Sequence, residues 1–196
     1  MAARDVAMRD PRGDRLMPGI DAALSEARLD VFGVDRVVCG GGPGSFTSLR
    51  IAAAIAKGLA MAAGKPLHAV SSLALMVGAV DPPLGPGEYV ATLDALRGEY
   101  YLTSCTVGDS GDVVDVAPVT VADARELDEM EHAGRILVGE RRHVRGVPKA
   151  RGVVRIEPLL ERDGPVDLAL WEPDYGRVAE AQRRWEAAHG RAMPRA

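Results

Sequence analysis

The residues most suggestive of chemistry are Gly40-Gly-Gly-Pro-Gly-Ser-Phe46, a turn joining the apolar run Arg36-Val-Val-Cys39 to an alanine-rich stretch. Backbone N–H groups at such a strand-to-helix turn often hold phosphate. Each known use of the turn needs particular neighbours. A P-loop needs Lys followed by Ser or Thr, and Phe46-Thr47 stand there instead. The dinucleotide spacing fails because Thr47 takes the place of the third glycine. A nucleophile elbow around Ser45 would need Gly where Pro43 stands. A tight structural turn is therefore expected, with Gly42, Gly44 and Ser45 as its candidate ligand contacts. His68, His132, His143 and His189 stand singly, without the spacing of metal ligands. Asp94, Arg97 and Glu99 have no nucleophile nearby and read as turn and rim charges. No catalytic residue, metal site or cofactor is expected.

The elements that hold this turn follow from periodicity and punctuation. Arg4 to Met8 reads as a short strand. A helix opens at Asp14, with Leu16, Ile20 and Leu24 recurring every fourth residue. Ser45 caps a long helix that stops at Gly64. Leu67 to Val70 is a strand, and Ser71 or Ser72 caps a helix to about Val80. Asp81-Pro-Pro-Leu-Gly-Pro-Gly87 is the clearest break in the chain. Beyond it, Tyr89 to Asp94, Glu99 to Val107 and a Val-rich strand to Val121 predict a three-stranded antiparallel meander. An acidic helix near Asp123 to Met130, a strand Arg135 to Val138 and a polar helix Arg177 to Ala188 complete the reading.

The long helix is apolar nearly all round. Phe46, Leu49, Ala53, Ala56 and Ala60 make one stripe, Ile51, Ile55, Leu59 and Ala62 another, and only Arg50 and Lys57 are charged between Ser45 and Ala63. A helix of that kind is buried on more than one side. Either it is a central core helix, or one face, shared with the Leu16-Ile20-Leu24 helix, is left for a partner.

Composition narrows the classes. Of 196 residues 47% are hydrophobic and 4% aromatic, and the formal charge is −4, which disfavours a freestanding nucleic-acid binder. Cys39 and Cys105 each lie in a strand-like apolar run, so buried free thiols are expected. No apolar run reaches the ~20 residues of a membrane span, and the start lacks a secretory h-region. A cytoplasmic location is expected.

Gly42-Pro-Gly-Ser-Phe-Thr-Ser-Leu-Arg-Ile51, followed by Ala56-Lys-Gly-Leu59 and Val70-Ser-Ser-Leu73, resembles the hallmark of the TsaB (YeaZ) family, GPGSFTGLRIG leading to Val-Ser-Ser-Leu. Arg15-Leu-Met-Pro18 is similar to the family's ERLLP helix start, and Leu93-Asp-Ala-Leu-Arg-Gly-Glu-Tyr100 to its DARRGEVY turn. Pro173-Asp-Tyr175 with Arg177, and the terminal helix through Trp185, resemble its closing signature. Ser48 and Ala52 replace two glycines of that pattern.

The resemblance implies an α/β, two-lobed, actin-like ATPase fold. Residues 1–84 would form the N-terminal lobe and 85–170 the C-terminal lobe, with 171–196 packing back on the first. The family opens with an ILAIDTS-type strand and a hairpin strand that this sequence lacks. Its N-terminal sheet is thus expected to keep an exposed edge and a thinner core. The implied role is a non-catalytic partner of TsaD. With the ATPase TsaE, it serves N6-threonylcarbamoyladenosine synthesis beside the anticodon of ANN-reading tRNAs, touching tRNA only through the complex. The family's docking helices correspond to Leu16, Ile20 and Leu24, and to Phe46, Leu49, Arg50 and Ala53. A homodimer through the same helices is the expectation when the partner is absent. A small-molecule kinase of this superfold and a glycoprotease-type peptidase are the alternatives, and neither finds its residues here.

Overall fold

The computed structural model describes residues 2–6, 15–176 and 189–190. Helix α1, Leu16–Glu26, follows Arg15 and has no fully buried residue. After a 3₁₀ turn at Val31–Gly33, strand β1 (Val37–Gly42), helix α2 (Phe46–Ala63) and strand β2 (Leu67–Ser71) form a β-α-β unit. Its two strands pair in parallel, from Val37 against Leu67 to Gly42 against Ser71. Leu49, Ala53, Ala56 and Ala60 turn toward the sheet, where Ala56 and Ala60 meet Cys39 and Leu67. The small alanines allow the helix to lie close to the strands. At Gly64 the chain turns left-handed (φ 63°) and α2 ends. Helix α2 is long and apolar enough to cross a membrane by length and composition, yet here it is the crossover of this unit.

Helix α3, Ser72–Gly78, is the centre of the molecule. The Ser71 hydroxyl accepts from the Leu73 and Ala74 N–H groups, and all seven helical residues are buried. One core cluster runs from Val70 and Leu73–Val77 to Tyr89, Tyr101, Val138 and Leu160, so α3 joins the small sheet to a larger one.

The larger sheet is built on β3, Gly87–Asp94, which pairs antiparallel with β4, Glu99–Val107, and parallel with β7, Ile136–Gly139. The short β8, Val144–Arg145, continues that parallel edge. The expected meander is corrected here. The Val-rich run splits into β5, Val113–Val116, and β6, Thr120–Asp123, which pair with different halves of β4. Pro118 stands between them and has no N–H to give a ladder. The break is bridged instead by Ala117, whose N–H donates to Ser104 and whose carbonyl accepts from the Thr103 hydroxyl.

Helix α4, Ala124–His132, opens on a capping box between Asp123 and Glu126. Helix α5, Glu157–Asp163, buries Leu159 and Leu160. The strand expected at Arg4 to Met8 is absent over residues 2–6, and its remainder lies outside the described residues. So do the helix start at Asp14 and the helix from Arg177 to Ala188.

Candidate functional site

The glycine turn is closed by its own chain. Residues 164–176 run back over the β-α-β unit, where the Val166 N–H donates to Leu67 and the Asp174 N–H to Gly41 at 2.7 Å. Gly42 holds φ 113°, and a β-carbon there would overlap the Asp174 carbonyl oxygen. Gly176 sits against Pro43 and the Tyr101 ring, and the Tyr101 hydroxyl donates to the Tyr175 carbonyl at 3.2 Å. The Phe46 and Tyr175 rings stand 4.7 Å apart, with the Arg50 guanidinium 5.4 Å from the Phe46 centroid. Trp171 covers Gly41 and meets Lys57 at 5.7 Å. Of the candidate ligand contacts, Gly42 is buried under Asp174 and has no room for a phosphate. Gly44 lies beside Leu49, and Ser45 is exposed without a side-chain capping bond.

Helix α2 has two unlike faces. Leu49 and Ala53, candidate partner contacts by sequence, are 7% and 6% exposed and belong to the chain's own core. Small side chains fit the sheet, so the alanine stripe turned inward. The outward face carries Thr47, Ile51, Ala54, Gly58 and Met61, with Phe46 and Arg50 exposed at its N-terminal end. Phe46 is 53%, Ile51 39% and Met61 70% exposed. Nothing approaches within 4 Å of the position of a Gly58 β-carbon. Ala52 packs against the inner cluster, and Ser48 is half-buried.

Leu16, Ile20 and Leu24 on α1 are half-buried. Leu16 and Ile20 line a groove with residues 2–6 and 149–153, and α2 contributes nothing to that lining.

The remaining candidates are structural. Cys39 and Cys105 are free and buried. Burial raises their thiols to about 11 and about 12, with Glu88 and Asp115 adding to the effect at Cys105. His68 is buried in β2 with its Nδ1 unpaired. Among the described residues no His, Cys, Asp or Glu group could hold a metal ion. The Asp94 carboxylate accepts from the Leu96 N–H at 2.6 Å and closes a turn in which Leu96 and Arg97 are both left-handed.

A family model described as TsaD, tRNA N6-adenosine threonylcarbamoyltransferase, matches residues 12–139. The Haemophilus influenzae tRNA threonylcarbamoyladenosine biosynthesis protein TsaB is 38% identical over 89 residues, 45% of this chain and 38% of that protein. The chain belongs to this family, on its TsaB (YeaZ) branch. The Bacillus subtilis TsaB protein is 26% identical over 190 residues, 87% of this chain and 82% of its own length. A solved structure of YeaZ from Pseudomonas aeruginosa superposes with a TM-score of 0.65 at 26% identity, covering 82% of this chain and 83% of that one. The first curated relatives are matched over only 38% of their length.

Residues 171–196 were expected to pack back on the first lobe, but the contact of residues 171–176 with the glycine turn itself was not read from the sequence. Its signal was the scarcity of aromatics. The chain has 2 Trp, 4 Tyr and 2 Phe, and Phe46, Tyr101, Trp171 and Tyr175 gather here.

Proposed function

We propose that this chain is a non-catalytic subunit that docks onto a TsaD-like transferase and, with a TsaE-like ATPase, supports N6-threonylcarbamoyladenosine formation on tRNA in the cytoplasm. The outward face of α2 carries this reading. Thr47, Ile51, Ala54, Gly58 and Met61 repeat every third or fourth residue along four turns without a charge. Such a face suits another helix, because small residues at its middle permit close approach and the larger ones flank it. Phe46 and Arg50 extend the surface at one end, α1 offers Leu16, Ile20 and Leu24, and Leu49 and Ala53 support it from behind. tRNA would be reached through the assembled complex. In the absence of the partner, two copies would pair across the same face.

On this reading the two sheets are the lobes of an actin-like fold. The lobes would divide at the Asp81–Gly87 break, with residues from 171 onward returning to the first. The filled turn at Gly42 agrees with a subunit that lost its ligand chemistry and kept the frame. The test is co-purification with the TsaD-like protein of the same organism, followed by size exclusion with light scattering. An equimolar complex is expected, and the two proteins eluting separately would remove the docking reading.

A further inference from the structure

We propose that residues 2–6 form a displaceable strap over α1, so that docking through α1 requires its release. The inference rests on the docking reading above and adds a control to it.

The groove of about 490 Å³ beside α1 has Leu16, Gly19 and Ile20 on one wall and Ala150 and Val153 on the other. Val6 lies along it from the strap side. A β-carbon at Gly19 would stand 2.7 Å from Val6 Cγ2. The strap therefore crosses α1 at its one residue without a side chain, at an interior position where glycine is a poor helix former. Among the described residues two ion pairs hold the strap, one on each wall. Arg4 pairs with Glu26 in the last turn of α1, and Asp5 pairs with Lys149 at 2.7 Å, just ahead of Ala150–Arg155. That bond holds the Asp5 carboxyl below its usual range.

Both tethers face solvent, with side-chain exposures of 45% and 47% for one pair and 30% and 75% for the other. Pairs of that kind are individually weak and are screened by salt. Residues 2–6 form no strand, so no ladder of backbone bonds secures them. Among the described residues, Val6 and these screened charge pairs lie over a face on which Leu16, Ile20 and Ala23 recur at helical spacing. A partner helix offering more apolar area would displace the strap, and binding would be weakened by the fraction of chains that keep it closed.

The experiment compares binding of the TsaD-like protein to the wild type, to the Arg4→Gln/Asp5→Asn double variant and to Gly19→Ala. The double variant cuts both tethers without touching α1's apolar residues. Gly19→Ala pushes Val6 outward while improving the helix. Hydrogen exchange of residues 2–6 and α1 is followed in the free proteins. Expected are faster exchange in the strap and roughly three- to tenfold tighter binding by the double variant. The difference should narrow at high salt, where the wild-type tethers are already screened. A wild type that binds as tightly as the double variant, or more tightly, overturns the strap and leaves the docking reading intact. Failure of all three proteins to bind removes the docking reading, and this inference with it.

Discussion

The carbonyl oxygen of Asp174 occupies the place a β-carbon on Gly42 would take. That contact joins the strand-to-helix turn to a segment that returns from far along the chain. Gly42 also holds φ 113°, where a side chain adds strain. Gly42→Ala should therefore loosen the clasp of residues 171–176 and destabilise the protein by about 3 kcal/mol, combining backbone strain with the displaced backbone. That corresponds to a drop of roughly 10 °C in melting temperature. Gly58→Ala is the matched control. It adds a methyl group in open space and should stabilise α2 by about 0.5–1 kcal/mol. Thermal melts of both variants check the pair, and an unchanged melt for Gly42→Ala would contradict the close approach.

The two faces of α2 predict opposite failures. Ile51→Glu places a charge on the outward face and should leave the fold intact while weakening the TsaD-like complex at least about tenfold, through loss of apolar contact and an unpaired charge at the interface. Leu49→Glu buries that charge in the chain's own core and should cost about 3 kcal/mol or more of stability. Urea melts and binding assays on both variants separate the cases. A Leu49→Glu protein that is fully folded but cannot bind would mean the faces are reversed.

Tyr101 reaches across to the returning segment through one hydroxyl, which donates to the Tyr175 carbonyl. Tyr101→Phe keeps the ring against Gly176 and removes that bond. The expected loss is about 1 kcal/mol. Proteolysis should then show earlier cleavage in residues 171–176, whereas unchanged stability and cleavage would show that this bond does not hold the clasp.

The buried thiols set an alkaline limit. In the unfolded chain Cys39 and Cys105 titrate near the usual 9.0, while burial holds them at about 11 and about 12 in the fold. Above pH 9 the unfolded state therefore binds fewer protons than the folded one. The stability from neutral thiols is complete below pH 9 and is lost as pH rises toward the folded values. The limiting slope for two such groups is about 2.7 kcal/mol per pH unit. Urea melts between pH 8 and 11 should show the decline, and a Cys39→Ala/Cys105→Ala variant should lack most of it. An identical slope in that variant would place the alkaline limit elsewhere.

Much of the β-α-β unit was legible because punctuation and periodicity coincide there. Ser71, one of the two candidate caps, caps α3, and Gly64 ends α2 in the left-handed conformation that favours glycine. The inward face of α2 was not legible. Both of its stripes are apolar, and only packing against Cys39 and Leu67 selects the one with small side chains. The Val-rich run hid a break because valine continues the strand pattern on both sides of Pro118. Residues 164–176 have no regular helix or strand, so no period announces them, although they cover the turn that drew attention first. The strand expected at Arg4 to Met8 does not form at residues 4–6, because a short run cannot reveal whether a ladder partner exists.

The bonds from Val166 to Leu67 and from Asp174 to Gly41 also order events on the ribosome. The β-α-β unit emerges early, but the residues that cover its turn are synthesised on the order of ten seconds later. Through that interval the nascent unit shows an uncovered glycine turn and an uncovered edge of β2. This is the window in which holding chaperones or premature association would act. Translation pauses before codon 166 should therefore reduce the soluble yield more than pauses placed after codon 176.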